Sequence, residues 1–362
     1  MNPIEKVIRR VDAFQQRHKA TAFVFGLIKK YGDDNGGVLA ANLAHSGFVS
    51  LFPLLLVLAT LVGLIASNDP AVRHQVLNAV AHQFPIIGNQ LTGNVQQLRR
   101  SSIIGLLVGL TVLIWGATGL AQAGLFTMQQ VWNLPGPARP GYFPRLGRAL
   151  VFLGVLGIGV VVTTLLTSFG LYGHASGALA IAGDVLVPAT NVGIFFLTFR
   201  VLTPKAVPTR RLVPGAIAGG LVWTLAQALG AYVVGHFRHT NAVYGAFATV
   251  LVLMAWIALS VEITMYAAEL NVVLARRLWP RSIVQPPLTG ADRAVLAVQA
   301  LQNQRRDEQH IEVSYDDLPP HAAEAATFPR TPEEIISPHP PARAAKPGNA
   351  DPAGEAGRKS AG

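Results

Sequence analysis

The chain has 362 residues, of which 51% are hydrophobic and 13% charged, with a formal charge of +10. A soluble domain carries roughly 25% charged residues; here the stretches 35–68, 101–138, 149–183, 212–237 and 239–261 hold no Asp, Glu, Lys or Arg, which excludes an ordinary soluble fold. The absence of cysteine excludes disulfides and thiolate metal sites.

Residues 1–281 carry 21 Lys/Arg against 8 Asp/Glu, and residues 282–362 carry 8 against 11. The positive charge lies between and beside apolar spans. That is the positive-inside signature of a membrane protein, and no nucleic-acid partner is expected. The first long apolar run starts near Val38, so no cleavable signal peptide is expected and the first span should stay in the mature protein.

Residues 3–30 predict an amphipathic helix. Ile4, Val7, Ile8, Val11 and Phe14 follow helical spacing, while Lys6, Arg9, Arg10 and Arg17 fall mostly elsewhere. Two readings fit: an interfacial helix on an anionic leaflet, or a helix packed on the cytoplasmic end of the bundle. Six spans follow, near 44–66, 102–124, 149–171, 180–202, 212–234 and 245–267. Lys and Arg concentrate before the first span, between spans two and three and spans four and five, and after the sixth. The expected fold is therefore all-α, a polytopic membrane protein with six transmembrane helices and both termini cytoplasmic. It divides into a cytoplasmic amphipathic segment (1–37), the transmembrane domain (38–281), a cytoplasmic helix and short extension (282–317) and a disordered tail (318–362).

The first span carries Asn42, His45, Ser46 and Ser50, then Pro53. Offsets of three, four and eight place these polar residues on one helical face, and Pro53 frees a backbone carbonyl and predicts a kink. The stripe either lines a polar path or hydrogen-bonds between helices. Between the first two spans, Val72, Val76, Leu77 and Val80 predict a short amphipathic helix over the outer mouth. Five histidines (His74, His82, His174, His236 and His239) fall in outer segments. His236 and His239 have helical i, i+3 spacing but no third ligand, so no metal site is expected. Asp184, near the start of span four, fits the outer headgroup level.

Span six is the most informative. In YGAFATVLVLMAWIALSVEITMYAAELNVVL (244–274), Glu262 follows some 18 mostly apolar residues, and Glu269 lies seven residues further on the same face. A carboxylate at the centre of a spanning helix costs about 2.5–3.5 kcal/mol on insertion scales, so it normally faces other helices or water. Glu262 is expected in the cytoplasmic half of the membrane, and Glu269 at the interface near Arg276 and Arg277. Gly105 with Gly109, and Gly215 with Gly219, allow close helix approach. Pro53 and Pro188 place one proline in each three-span half, as inverted repeats would, without a visible sequence repeat. Beyond the spans, Thr289 predicts the cap of a helix running to about Gln309.

Four segments together resemble the YihY/BrkB family of inner-membrane proteins, once described as ribonuclease BN: AANLAHSGFVSLFPLLLVL (40–58), WGATGLAQAGLFTMQQVWNLP (115–135), LTPKAVPTRRLVPGAIAGGLVWTLAQ (202–227) and YGAFATVLVLMAWIALSVEITMYAAELNVV (244–273). The run AAELNVVLARRLWPRS is similar to the actinobacterial branch. The resemblance implies a six-span fold in the bacterial plasma membrane. It marks Phe52, Pro53, Gly116, Gly119, Pro214, Gly215, Trp223, Tyr244, Gly245, Trp256, Glu269 and Asn271 as the family's characteristic positions. Many members have an apolar residue near Glu262. The resemblance also implies a role in the cell envelope, with movement of lipids or envelope precursors as the suggested activity.

The expected function is translocation of a lipid or cell-envelope precursor through a polar intramembrane path of Asn42, His45, Ser46, Ser50 and Glu262. The alternative is a non-catalytic envelope scaffold that binds partners. Expected partners are membrane lipids, a second copy of the chain, and a cytoplasmic protein engaged by the C-terminal tail. No catalytic residues and no cofactor are expected. The soluble segments lack the grouped carboxylates or dense His/Asp cluster of a metal-dependent nuclease, and no phosphate-binding GxxxxGK[ST] loop is present.

Overall fold

Each charge-free stretch contributes to one or more long helices. The computed structural model describes residues 3–65, 103–136, 141–172, 177–205, 207–236, 245–306 and 308–315, and among these there is no β-strand. Two short helices, α1 (Pro3–Arg17) and α2 (Lys19–Asp33), precede six long ones: α3 (Gly36–Ile65), α4 (Ile103–Val131), α5 (Tyr142–Tyr172), α6 (Gly177–Leu202), α7 (Val213–His236) and α8 (Gly245–Arg276). A 3-10 turn (Thr209–Leu212) leads into α7, and α9 (Gly290–Gln302) follows α8.

The long helices have 24 to 32 residues. At 1.5 Å per residue they reach about 36–48 Å, more than the ~30 Å hydrocarbon core. Among the described residues, four stretches are long and apolar enough to cross a membrane: Tyr142–Gly159, Val185–Leu202, Thr209–Gly230 and Val250–Arg276. Each long helix packs on the next in sequence, and α8 closes back onto α3.

Helix boundaries depart from the predicted spans mainly at one end of the bundle. There α3 begins at Gly36, α4 continues to Val131, α5 begins at Tyr142 and α8 continues to Arg276. Hydropathy marks the part of a helix that lies in lipid. The helix itself continues through residues such as Gln129, Gln130, Glu269 and Asn271, which still form intrahelical hydrogen bonds. The single helix predicted over 3–30 is two helices. His18 is extended (φ −104°, ψ 114°), and the Thr21 hydroxyl donates to the carbonyls of Gln15 (3.1 Å) and His18 (3.0 Å), fixing the corner. The predicted helix near 72–84, together with His74, His82, His174 and His239, lies outside the described residues.

The core sits at this same end. It joins Leu39 and Leu43 of α3, Leu125, Met128 and Val131 of α4, Phe199 of α6, Met265 and Val272 of α8 and Val295 of α9. Away from it the helices are coated with apolar side chains. On α7, Leu221, Leu225 and Leu229 form an exposed stripe at four-residue spacing. Such a surface is a liability in water and the expected lipid face in a bilayer.

Small residues hold α7 close to its neighbours. A Cβ on Gly219 would stand 2.6 Å from a ring carbon of Phe195 on α6, and one on Gly230 would stand 2.7 Å from the Trp256 ring on α8.

Candidate functional site

The last turn of α2 carries Lys29, Lys30, Tyr31, Asp33 and Asp34 into the polar end of the bundle. Lys30 is 0% exposed. Its ammonium contacts Asp34, the Val131 carbonyl at 3.3 Å and Glu269 Oε2 at 3.4 Å. Glu269 is also 0% exposed, and its Oε1 has no hydrogen-bond partner among the described residues. Asp34 accepts a second bond from Asn133 Nδ2 at 3.0 Å. Asn133 follows α4 with φ 48°, a left-handed conformation that asparagine tolerates better than most residues. Arg276 closes this layer by donating to the Trp132 carbonyl at 2.7 Å. The Lys30 ammonium and the carboxylates of Asp34 and Glu269 are thus buried together, with a half-buried Arg276 beside them.

One residue further along α2, the Tyr31 hydroxyl donates to both oxygens of Glu262, at 2.9 and 2.7 Å. Its ring stacks on Tyr266 with centroids 4.5 Å apart. Burial pushes the Tyr31 phenol up from its ordinary pKa, and the hydrogen bond to Glu262 pushes it the same way.

A third layer centres on Asp292, 0% exposed in the first turn of α9. Thr289 and Asp292 form a reciprocal capping box: the Thr289 hydroxyl accepts the Asp292 N–H, and Asp292 accepts the Thr289 N–H, each at 3.1 Å. The same carboxylate accepts from Arg281 Nε (2.6 Å), Lys29 Nζ (3.1 Å) and the Ser282 N–H (3.0 Å). Burial alone would raise the Asp292 pKa, but bonds from Arg281, Ser282 and Thr289 hold it well below the usual carboxylate range. Arg281 also reaches Asp33 at 2.7 Å. The helix predicted to start after Thr289 does so, and it ends at Gln302 rather than Gln309.

A cavity of about 410 Å³ opens beside these layers, lined by Asp33, Asp34, Asn35, Gln130, Gln299 and Gln302 among others. Its carboxylates are already committed, to Arg281 and to Lys30. Among the described residues, no three His, Asp or Glu side chains could together hold a metal ion.

The sequence-predicted path residues do not line this cavity, nor do they form one surface. Asn42 and His45 are exposed on the flank of α3 opposite its packed face of Leu39, Ala40, Leu43 and Ala44. Ser50 is buried and donates to the Gly47 carbonyl, and Ser46 donates to the Asn42 carbonyl, so both hydroxyls serve their own helix. Glu262 is half-buried and engaged by Tyr31. The side chains of Phe52, Pro53 and Asp184 lie outside the described residues, although α3 runs unbroken through Pro53.

Several family-marked positions meet in pairs. Asn271 Oδ1 accepts the Gly215 N–H at 2.7 Å, so α8 satisfies one of the unpaired donors at the start of α7. A Cβ on Gly215 would collide with the Ala267 carbonyl. Pro214 occupies the first turn, where its missing N–H is not needed. Trp223 and Trp256 pack with ring centroids 5.6 Å apart. Gly119 faces open space. Tyr244 lies outside the described residues, and Gly245 opens α8. Glu269, expected near Arg276 and Arg277, contacts Lys30 directly. Sequence reasoning missed Lys30, Tyr31, Asp33, Arg281 and Asp292. The signal for Asp292 was its place three residues after the predicted cap Thr289.

Among known proteins, the chain is similar to a UPF0761 membrane protein of Alcanivorax borkumensis, 24% identical over 258 residues covering 69% of this chain and 59% of that protein. A UPF0761 membrane protein of Pseudoalteromonas atlantica is 25% identical, over 71% of this chain and 87% of the relative. The ribonuclease-like protein YfkH of Bacillus subtilis is 23% identical, over 71% and 96%. The chain therefore spans well under two thirds of the Alcanivorax protein's length. No solved structure matches. The chain is a multi-pass protein of the bacterial plasma membrane. Matched over residues 27–287, it belongs to the virulence factor BrkB family.

Proposed function

We propose that this protein translocates a lipid or lipid-linked envelope precursor, and that the headgroup moves along the outer flank of α3 rather than through an enclosed pore. One observation carries this reading: Asn42 and His45 are exposed on the side of α3 that faces away from the bundle. Polar side chains in a membrane normally turn inward because lipid cannot satisfy them, and this pair sits at the cytoplasmic edge of the first span, where a headgroup would enter. An outward polar pair suits a substrate that is itself amphipathic, with its headgroup held by the pair and its tails left in lipid. The reading takes six spans with both termini in the cytoplasm, supported by the distribution of Lys and Arg. It gives the chain no ribonuclease chemistry.

The test uses purified protein in vesicles carrying a fluorescent phospholipid in both leaflets, with reduction from outside as the readout. Wild type should expose inner-leaflet lipid to the reductant. The N42L/H45L double variant should lose that activity while melting as wild type does. Retained activity in a folded double variant would sink the proposal.

A second reading, a partner-binding scaffold, draws on the polar end itself, where α2, Arg281 and α9 are tied together by charge pairs around the buried Asp292. Truncation after Tyr315 separates the two. A translocator keeps working without residues 316–362, and a scaffold that recruits through the tail fails.

A further inference from the structure

α1 is attached to the rest of the protein by its polar face. Gln15 Nε2 donates to the Arg281 carbonyl at 2.5 Å, Asp12 accepts the Ile283 N–H at 3.1 Å, and Arg9 reaches the Pro286 carbonyl at 3.3 Å. Asp12 and Gln15 are buried by this docking. The apolar face is therefore left outside: Val7, Val11 and Phe14 are 58%, 53% and 59% exposed. This inverts the usual surface helix, whose apolar stripe faces the core.

The third face of the helix identifies the occupant. At 100° per residue, Lys6, Arg10 and Arg17 fall within about 40° of one another, roughly 90° from the centre of the Val7–Val11–Phe14 stripe and on the side away from the docked face. All three are exposed. The order around the helix is thus protein, apolar stripe, cations. Apolar side chains entering the acyl boundary with Lys and Arg beside them at headgroup level describe a helix lying in a membrane interface. Juxtamembrane cations attract anionic lipids, and the spans of this same chain keep a bilayer next to α1. We propose that α1 is an anionic-lipid-binding helix, inserted by Val7, Val11 and Phe14 and flanked by Lys6, Arg10 and Arg17. Through Gln15 and Asp12 it pins the 281–286 segment to the membrane surface.

The test exploits the cysteine-free sequence. Full-length V7C, F14C and A13C variants are spin-labelled and reconstituted in phosphatidylcholine vesicles with and without phosphatidylglycerol. Ala13 is exposed on the cationic side and reports the aqueous face. With anionic lipid, labels at 7 and 14 should collide more with oxygen than with a water-soluble nickel chelate, and the label at 13 should show the reverse. Adding K6Q/R10Q/R17Q, or omitting phosphatidylglycerol, should at least halve the oxygen-to-nickel ratio at 7 and 14. Equal nickel access at all three sites overturns the proposal. So does dipolar broadening at 7 and 14, which would mean that a second copy covers the stripe. A ratio indifferent to both anionic lipid and the three cations also overturns it. These substitutions lie on an exposed face, and an unchanged melting temperature shows that the variants are folded.

Discussion

The ammonium of Lys30 and the carboxylate of Glu269 lie 3.4 Å apart, both shut off from solvent, although 239 residues separate them in the chain. Removing one partner of such a pair leaves an uncompensated buried charge, which costs about 3–5 kcal/mol. Lys30→Met should therefore lower the melting temperature of the detergent-purified protein sharply. Adding Glu269→Gln to it should recover part of the loss. If the two substitutions were simply additive, the pair would not act as a unit.

Two glycines marked by the family resemblance should behave oppositely. Gly215→Ala drives a Cβ into the Ala267 carbonyl, which is backbone and cannot swing aside, so α7 and α8 must separate. Asn271→Ala leaves the Gly215 N–H without its acceptor, a loss of about 1–3 kcal/mol. Gly119→Ala meets nothing and should be neutral or stabilising by up to about 1 kcal/mol, since alanine is the better helix former. Melting temperatures of the three variants, measured side by side, check the ranking.

Asp292 and Tyr31, whose pKa values are displaced in opposite directions, act at opposite ends of the pH scale. Asp292 is held below its ordinary value, so its contribution is present above about pH 3.9 and fades only as pH falls towards the lower folded-state value. Tyr31 is raised, so its contribution is complete below about pH 10 and fades as pH rises through the higher folded-state value. Asp292→Asn should flatten the acid limb of a stability–pH curve, and Tyr31→Phe the alkaline limb. A wild-type curve with the same limbs as both variants would refute the assignment.

Truncation separates structure from tail. Deleting residues 316–362 removes nothing described in the bundle. Deleting 282–362 removes Asp292, the partner of Lys29 and Arg281, along with Val295 and Leu301 from the interior. The shorter deletion should give protein in wild-type yield, and the longer one should leave little folded protein in the membrane fraction. Size-exclusion profiles of both report the outcome.

The membrane helices were legible because lipid imposes a simple rule, a long charge-free run, and the chain obeys it over 149–183, 212–237 and 239–261. Thr289 was legible because a cap is local. The partners of Lys30, Tyr31 and Arg281 were not. Each is paired across more than 200 residues or buried through a fold-dependent approach, and a lysine in a KKYGDD run reads as a solvated interfacial charge. The stripe at Asn42, His45, Ser46 and Ser50 was legible as a helical face but not in its surroundings. Spacing alone assigns one face, but packing on α4 and α8 turns Ser50 inward and leaves Asn42 and His45 outside.

The charge pairing also sets an order of assembly. Lys29, Lys30 and Asp33 are synthesised early, but their partners Asp292, Glu269 and Arg281 come 263, 239 and 248 residues later. At about 5–20 residues per second, Lys30 waits roughly 12–50 s for Glu269 while the spans between them enter the membrane. The polar end is consequently a latch that closes last. A chain interrupted before α9 lacks Asp292, which leaves Lys29 without its carboxylate and Arg281 with Asp33 alone, so the last pairs to close are those that seat α9.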